Sequence, residues 1–310
     1  MVSRGRRRGV GLCVVVALAL PLAGCAGGDR ALAVGDAARV LDDPDVTRLA
    51  QEPDLTARLP VGELGLGWSD DPDLLASVTD DEGRALAPAG DATLVAVSWD
   101  LDPTATGVPG APGFAVVEGA VDHELALVSG GQRTMLVPGS ERALRGSAVA
   151  AVADPSDVAL EVTFDGVTQE VGPGVDDREV PVPAQPLYTG LPVAEADLDC
   201  LPAAADPFCR ADAAWLPWVA DQGWAPEGRL WPVVRVEARV AGGGEAALRA
   251  DLGGTAPIAD DALGSDGGVH QLLVFPAAQA GPETLAIEVS DGEVTVRGSA
   301  RLSPRAPTDR

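Results

Sequence analysis

Apolar and polar residues alternate over several short segments of this chain. Val95, Val97 and Trp99 are separated by smaller or polar side chains, and the run from Val158 to Phe164 repeats the pattern. A period of two is typical of β-strands that bury one face. Gly, Pro and Asp recur between these runs, and few segments have helical spacing. The pattern predicts an all-β protein whose strands each bury one face.

The same order of strands occurs twice along the chain. The matching runs are 95–99 with 234–240, 125–131 with 248–254, and 158–166 with 285–292. Three matches in one order predict a duplicated domain. The last run of each half ends in Asp-Gly, at Asp165 and at Asp291. Because these residues tolerate positive φ, each pair predicts a hairpin closed by a type I′ turn.

Each repeat has roughly the length of a β-sandwich, about 100 residues. Aromatic residues are only 4% of the chain, so the cores must consist mainly of Val, Leu and Ala. The predicted boundaries are residues 61–190 for the first sandwich, residues 191–304 for the second and residues 305–310 for a tail.

The N-terminus has the layout of an export signal. Arg4 and residues 6–8 are basic, and about eleven mostly apolar residues follow from Val10 to Leu20. A spanning helix needs roughly 20 apolar residues, so we expect residues 1–24 to be a cleaved signal peptide. Residues 25–60 are polar and predict a flexible tether. Within them, Asp43-Pro44 predicts the start of a short helix.

The apolar stretch ends in Leu22-Ala23-Gly24-Cys25. This tetrapeptide resembles the bacterial lipobox, in which cleavage precedes a cysteine that carries diacylglycerol. The resemblance implies that Cys25 is lipidated and that the protein is anchored on the extracytoplasmic face of the cell membrane. The alternative is an ordinary cleavage region with a chance cysteine. The sequence does not choose between general and twin-arginine export.

Two motifs carry a second resemblance. They are Pro-x-Gly before an alternating Val strand, and the hairpin sequence from Val158 to Gly166. Together they resemble the Ig-like sandwich repeats of uncharacterised secreted lipoproteins in high-GC bacteria, over about residues 65–303. The resemblance implies two tandem Ig-like β-sandwiches but no function. The chain departs from antibody-type domains because it lacks a cysteine pair that spans each sandwich.

Charge limits the partners of the protein. The chain contains no lysine, and loss of the signal leaves 18 arginines against 47 acidic residues, a net charge of −29. Such a field repels nucleic acid and anionic lipid headgroups. We therefore expect no nucleic-acid partner, and contact with the membrane through the N-terminal lipid alone.

The cysteines after the signal are Cys25, Cys200 and Cys209. In an oxidising exterior, the close pair predicts one local disulfide that closes a surface loop. A reduced pair is the alternative. Metal binding by this pair is disfavoured, because His123 and His270 are distant in sequence.

The sequence offers no constellation for catalysis or cofactor binding. It has no Gly-x-Ser-x-Gly motif, and a phosphate loop would need a lysine. The acidic clusters 70–73, 80–82 and 260–261 could supply calcium ligands, but no Asp-x-Asp-x-Asp-Gly loop is present. We predict no catalytic residue, no cofactor and no metal site, and we leave calcium as the alternative to a solvated acidic surface.

Four of the six tryptophans follow the cysteine pair within seventeen residues. They are Trp215, Trp218, Trp224 and Trp231. One interpretation is packing in the core or between domains, with Trp215 and Trp218 on a helical turn. The other is an exposed surface that stacks on a ligand.

These observations lead to two functional hypotheses. The first is a non-enzymatic, lipid-anchored protein that binds a protein partner at the membrane surface. The alternative is a module that binds a glycan or cell-wall ligand through the tryptophan-rich segment from Trp215 to Trp231.

Overall fold

The computed structural model describes residues 29–40, 43–51, 53, 55–103, 123–139, 144–172, 180–201, 208–239, 246–264 and 268–305. The predicted signal peptide, Cys25 and the tail beyond Arg305 lie outside these residues. Among the residues described, no helix has the length and apolar character needed to cross a bilayer.

The first half of the chain is a sandwich with an added outer layer. Its elements are β1 (Arg30–Leu32), β2 (Ala37–Val40), α1 (Pro44–Gln51), β3 (Leu55–Leu59), β4 (Gly62–Ser69), α2 (Pro72–Leu75), β5 (Leu86–Pro88), β6 (Thr93–Asp102), β7 (His123–Ser129), β8 (Gln132–Val137), β9 (Arg145–Val152), β10 (Val158–Phe164) and β11 (Val167–Val171). A five-stranded antiparallel sheet, in the order β2-β9-β6-β4-β3, faces a four-stranded antiparallel sheet, in the order β11-β10-β7-β8.

The second half is a sandwich preceded by a short helix. After a 3-10 turn at Val182–Ala184, its elements are α3 (Gln185–Thr189), β12 (Val193–Asp197), β13 (Phe208–Leu216), β14 (Trp218–Val219), β15 (Gly223–Trp224), β16 (Trp231–Arg239), β17 (Ala247–Leu252), β18 (Ala259–Gly264), β19 (Val269–Val274), β20 (Glu283–Ser290) and β21 (Thr295–Leu302). A five-stranded sheet, β12-β13-β16-β19-β18, faces a three-stranded sheet, β17-β20-β21. The predicted all-β class and its two tandem sandwiches are confirmed.

The two sandwiches share one strand order. In the five-stranded sheets, β3-β4-β6-β9 of the first half corresponds to β12-β13-β16-β19 of the second. In the facing sheets, β7-β10-β11 corresponds to β17-β20-β21. The chain changes sheets between β6 and β7 and again between β16 and β17, as in the Greek-key connections of Ig-like sandwiches. This shared order agrees with the duplication predicted from the sequence.

The alternating segment from Val158 to Phe164 behaves as predicted. Its even-numbered residues are buried and its odd-numbered residues are half-buried at the surface. In β6 both faces are buried, because Ala96 on the outer face is as inaccessible as Val95 and Val97 on the inner face. The prediction of one buried face is therefore wrong for β6, since a further layer of the protein covers this sheet.

That layer consists of α1, α2 and the parallel pair β1–β5. Leu32 and Val46 belong to the layer and share a buried cluster with Ala96 and Val149 of the sheet. The Asp43 carboxylate accepts the backbone N–H of Asp45 and Val46, which caps α1 where the sequence predicted a helix start. The prediction of a flexible tether over residues 25–60 is therefore wrong for the described residues from Arg30 onward, because they form strands and a helix packed on the first sheet.

The two Asp-Gly hairpins differ. Asp165 has φ 45° and Gly166 has φ 75°, as the predicted type I′ turn requires. In the second hairpin only Gly292 has positive φ, and strands β20 and β21 are joined by four residues. The Asp291 carboxylate accepts the N–H groups of Glu293 and Val294 and so supports this longer loop. The type I′ prediction is confirmed at Asp165 and wrong at Asp291.

Candidate functional site

The Cys200–Cys209 disulfide is present, as the sequence predicted. Cys209 begins the inward-facing row of β13, and its Cα lies 6.3 Å from that of Cys200. Next to Cys200, the backbone of Leu201 exchanges two hydrogen bonds with Arg297 of β21. The described base of this loop is therefore held by one covalent link and by one strand-like bridge.

The four clustered tryptophans lie at the end of the second sandwich that contacts the first. Trp215 is on β13 and is only 1% exposed, packed in the second core. Its backbone pairs with that of Pro232 on β16. A helical turn through Trp215 and Trp218 is therefore wrong, because pairing with β16 keeps the chain extended as far as Leu216.

Trp218 and Trp224 pair across the small β14–β15 hairpin and contact the first sandwich. The Trp218 indole Nε1–H donates to Asp165 Oδ2 at 2.7 Å. The Trp224 indole Nε1–H donates to the carbonyl oxygens of Phe164 and Asp165, at 3.3 and 3.1 Å. The tip of the β10–β11 hairpin is thus bound by two indoles of the other domain.

Phe164 completes this contact. Its ring meets Trp218 edge-to-face with centroids 5.0 Å apart, and Trp224 in the same manner at 6.2 Å. Edge-to-face aromatic pairs are each worth about 0.5–1.5 kcal/mol beyond the area they bury. The hairpin therefore offers the second domain an apolar ring, a carboxylate and two carbonyl groups from two consecutive residues.

Trp231 packs against the same buried cluster as Trp224. Its Nε1–H donates to the carbonyl oxygen of Gly223 at 3.0 Å, which fixes the start of β15. None of the four tryptophans is an exposed side chain in the structure. Two interpretations of these tryptophans were drawn from the sequence. The structure shows the first of them, packing in the core and between the domains.

A second contact between the domains centres on Tyr188 of α3. The backbone N–H of Arg58 on β3 donates to the Tyr188 hydroxyl at 2.9 Å, and this hydroxyl donates to Gln169 Oε1 on β11. Gln169 Nε2 in turn donates to the carbonyl oxygen of Arg58 at 2.9 Å. The Arg58 guanidinium also lies over the Tyr188 ring, 5.6 Å from its centroid. The segment between the sandwiches is therefore tied to the edge of the first one.

We name the two contacts together the junction. The hairpin Phe164-Asp165 with Trp218 and Trp224 forms one part, and Tyr188 with its partners forms the other. The sequence pattern predicted the tryptophans as a candidate site but not Tyr188, although this residue is the only tyrosine in the chain. Its hydroxyl makes it a natural bridging group.

An open groove lies beside the junction. It has a volume of about 390 Å³ and lies between α3 and the loop that follows β15. Pro183 and Pro186 form one wall, and Pro217 and Pro226 belong to the other. Pyrrolidine rings fix the backbone φ, so these walls are stiff.

Asp80, one of the acidic residues considered as a calcium ligand, is occupied by contacts within the chain. The Asp80 carboxylate accepts Nε and Nη2 of Arg84 at 2.8 and 2.6 Å, and the backbone N–H groups of Glu82 and Arg84. The Arg84 side chain holds the pKa of Asp80 well below its ordinary range, against the opposing effect of burial. Within the described ranges, no three His, Cys, Asp or Glu side chains are grouped as a metal site would require.

The two histidines lie in different sandwiches. His123 is buried at the start of β7, opposite Phe164, while His270 lies on β19 opposite Glu237. The pair therefore does not converge on one site. The chain matches no known protein-family model, and no curated protein matches it.

Proposed function

We propose that this protein is a lipid-anchored, extracytoplasmic protein without enzymatic activity, which presents two joined sandwiches to a protein partner at the membrane surface. The observation that carries the proposal is the junction. Trp218 and Trp224 bind the Asp165 hairpin, and Tyr188 ties the connecting segment to the first sandwich. Two domains fixed to one another present a larger continuous surface than two domains on a free linker.

The anchor rests on the sequence. Leucine, two small residues and Cys25 directly follow an apolar stretch of signal-peptide length. Acyl chains on Cys25 would supply about 0.8 kcal/mol per buried CH₂, enough for stable attachment when two or more chains are present. The Cys200–Cys209 disulfide supports export, because such bonds persist in oxidising compartments.

The lipid anchor is tested by the Cys25→Ala variant, with Cys13→Ala as the matched control. Cys13 lies in the stretch that cleavage would remove, so its loss leaves the mature protein unchanged. We expect wild type and Cys13→Ala to fractionate with membranes and to carry diacylglycerol on the first residue by mass spectrometry. An unmodified N-terminus on the wild-type protein, or its recovery from cytosol, contradicts the proposal.

The interaction role is tested separately by crosslinking in the native cell. We expect one or a few proteins of the cell surface to be recovered with the wild-type protein and to lose their complexes on deletion of the gene. Recovery of no specific protein, together with unchanged complexes after deletion, contradicts this part of the proposal.

The glycan-binding alternative stays a prediction. The indole N–H groups of Trp218, Trp224 and Trp231 donate within the chain, and Trp215 is buried. A sugar that stacks on Trp218 or Trp224 would compete with the edge-to-face contacts that both rings make to Phe164. Tryptophan fluorescence measured against a panel of cell-wall glycans tests it, and an unchanged spectrum removes its support.

A further inference from the structure

The duplicated sandwiches differ at one strand of the smaller sheet. In the first sandwich, β8 pairs with β7 and covers its outer edge. In the second sandwich, β17 takes the place of β7 and is itself the edge of a three-stranded sheet. The chain after β17 instead forms β18, which joins the opposite sheet. Among the described residues, no strand occupies the position beside β17 that corresponds to β8.

The inward-facing side chains of β7 and β17 differ in how deeply they are buried. Leu125 and Leu127 of β7 are both 0% exposed. Leu248 and Ala250 of β17 face the second core but are only half-buried. Among the described residues, one edge of the second core is therefore left uncovered where β8 covers the first core.

Some backbone groups of β17 also have no hydrogen-bond partner among the described residues. The N–H of Gly253 donates to Thr284 on the side of β20, and the groups of Leu252 bond to Thr255 on the other side. Backbone N–H and C=O groups alternate in direction along a strand. The N–H and C=O groups of Leu248 and Ala250 therefore point away from β20, on the same side as those of Leu252. No described residue pairs with them.

Several other sheet edges of the protein are partly covered where they are described. The Tyr188 hydroxyl accepts a backbone N–H of β3, Arg305 pairs with β12, and Leu201 pairs with β21. The β18 edge has an irregular register and the adjacent charges of Asp260 and Asp261. Bulges and charges of this kind prevent strand addition. β17 has neither a proline nor a bulge, and its two charged residues, Arg249 and Asp251, have opposite signs.

The outer face of the three-stranded sheet indicates what would pair with β17. Arg297 on β21, Glu288 on β20 and Arg249 on β17 lie in one row across the strands. Arg297 Nε donates to Glu288 Oε2 at 2.8 Å. The row is positive, negative, positive, and opposite charges across strands stabilise a sheet. A fourth strand would continue this order with an acidic residue opposite Arg249.

We propose that β17 binds an extended segment of a partner protein as a fourth strand, with an acidic side chain opposite Arg249 and apolar side chains toward Leu248 and Ala250. Main-chain hydrogen bonds would supply affinity and the alternating side chains would supply specificity. The inference gives the proposed interaction role a specific surface, and it rests on that role for its choice of a protein as partner.

The test uses the purified full chain and two nine-residue peptides, one alternating Val with Glu and one alternating Val with Arg. Binding is measured by fluorescence anisotropy at 0.15 M salt, where the Debye length is about 8 Å and the field of distant charges is screened. We expect the Glu peptide to bind more tightly. This preference opposes the net charge of the protein, so general attraction cannot produce it.

Two variants locate the binding. Ala250→Pro removes an N–H that points away from β20 and should abolish binding, while Ala250→Val keeps the N–H and serves as its matched control. Arg249→Glu should reverse the preference between the peptides by about fivefold or more. Circular dichroism checks that each variant is folded. If Ala250→Pro is unfolded, the peptide preference of Arg249→Glu alone decides whether the proposal stands.

Hydrogen exchange on the wild-type complex supplies a direct readout. We expect the Glu peptide to slow exchange of the Leu248 and Ala250 amides and to leave those of β7 unchanged. Binding of neither peptide, or a preference that Arg249→Glu does not alter, overturns the proposal. A concentration-dependent dimer that Ala250→Pro abolishes also overturns it, since a second copy would then be the occupant. None of these results depends on lipidation or on cellular complexes, so failure here is distinguishable from failure of the proposed function.

Discussion

The Trp218 indole of the second sandwich donates a hydrogen bond to the Asp165 carboxylate of the first, across 2.7 Å. Asp165 is one of two described residues other than glycine with positive φ. A side chain that tolerates this conformation and also accepts the indole N–H is needed at this position. Aspartate meets both requirements, so the turn and the contact between domains depend on one residue.

Substitution of Asp165 separates these two roles. We expect Asp165→Ala to destabilise the protein by about 2 kcal/mol. The variant loses the hydrogen bond to Trp218, and it places at positive φ an alanine, which has no polar side chain to stabilise that conformation. Asp165→Asn keeps a carbonyl acceptor and tolerates the turn, so its cost should stay below about 0.5 kcal/mol. Urea unfolding followed by tryptophan fluorescence measures both. Equal losses in the two variants would contradict this account.

Tyr188→Phe tests the second part of the junction. The substitution keeps the ring beneath Arg58 but leaves the backbone N–H of Arg58 and the Gln169 Oε1 without their shared partner. Unsatisfied buried polar groups cost about 1–3 kcal/mol, and Gln169 is 1% exposed. We expect a loss in that range, together with wider separation of the domains by small-angle scattering. Thr189→Val, one residue away on the surface, is the control and should leave both quantities unchanged.

A substitution at Gly67 of β4 tests the packing of α1 on the first sheet. A Cβ at this position would collide with the carbonyl group of Leu49, because α1 lies directly on the strand. Gly67→Ala should therefore displace α1 and destabilise the first sandwich by about 1–3 kcal/mol. Gly166→Ala is a useful contrast, since a Cβ there meets open space and only the positive φ penalises it. Protease digestion should cut the 30–51 segment faster in Gly67→Ala alone.

The lowered pKa of Asp80 predicts how the free energy of unfolding depends on pH. Arg84 lowers the pKa of this carboxyl in the folded protein relative to the unfolded chain. The stabilisation is therefore fully present above the unfolded pKa of about 3.9 and is lost as pH falls below that value toward the folded pKa. Asp80→Asn should lower the melting temperature most at neutral pH, with a difference from wild type that narrows below about pH 4. A difference that stays constant down to pH 2 would show that Asp80 stabilises the fold through its shape alone.

The sequence predicted the fold where local patterns and tertiary structure agree. The alternation from Val158 to Phe164 and the turn at Asp165 are local signals, and both are present in the structure. The segment from Arg30 to Val40 was missed, because its two short strands contain small residues and are ordered by burial against the first sheet. No local pattern in a polar stretch reveals such a docking surface.

The candidate site was predicted in part. The spacing of Trp215 and Trp218 suggested a helix, but the backbone pairing of Trp215 with Pro232 is a long-range property that spacing does not encode. The partner of Trp218 was equally hidden, because Asp165 is 53 residues away in sequence. The open edge at β17 is visible only when the two sandwiches are compared strand by strand.

The early start of β1 limits how far the folded part can stand from a bilayer. If Cys25 carries the lipid, only residues 26–29 separate it from Arg30, where β1 begins. Five residue steps span at most about 18 Å when fully extended, comparable to the depth of the lipid headgroups and their bound water. The first sandwich would then lie directly against the membrane surface, and its partners would have to approach from the side or from above.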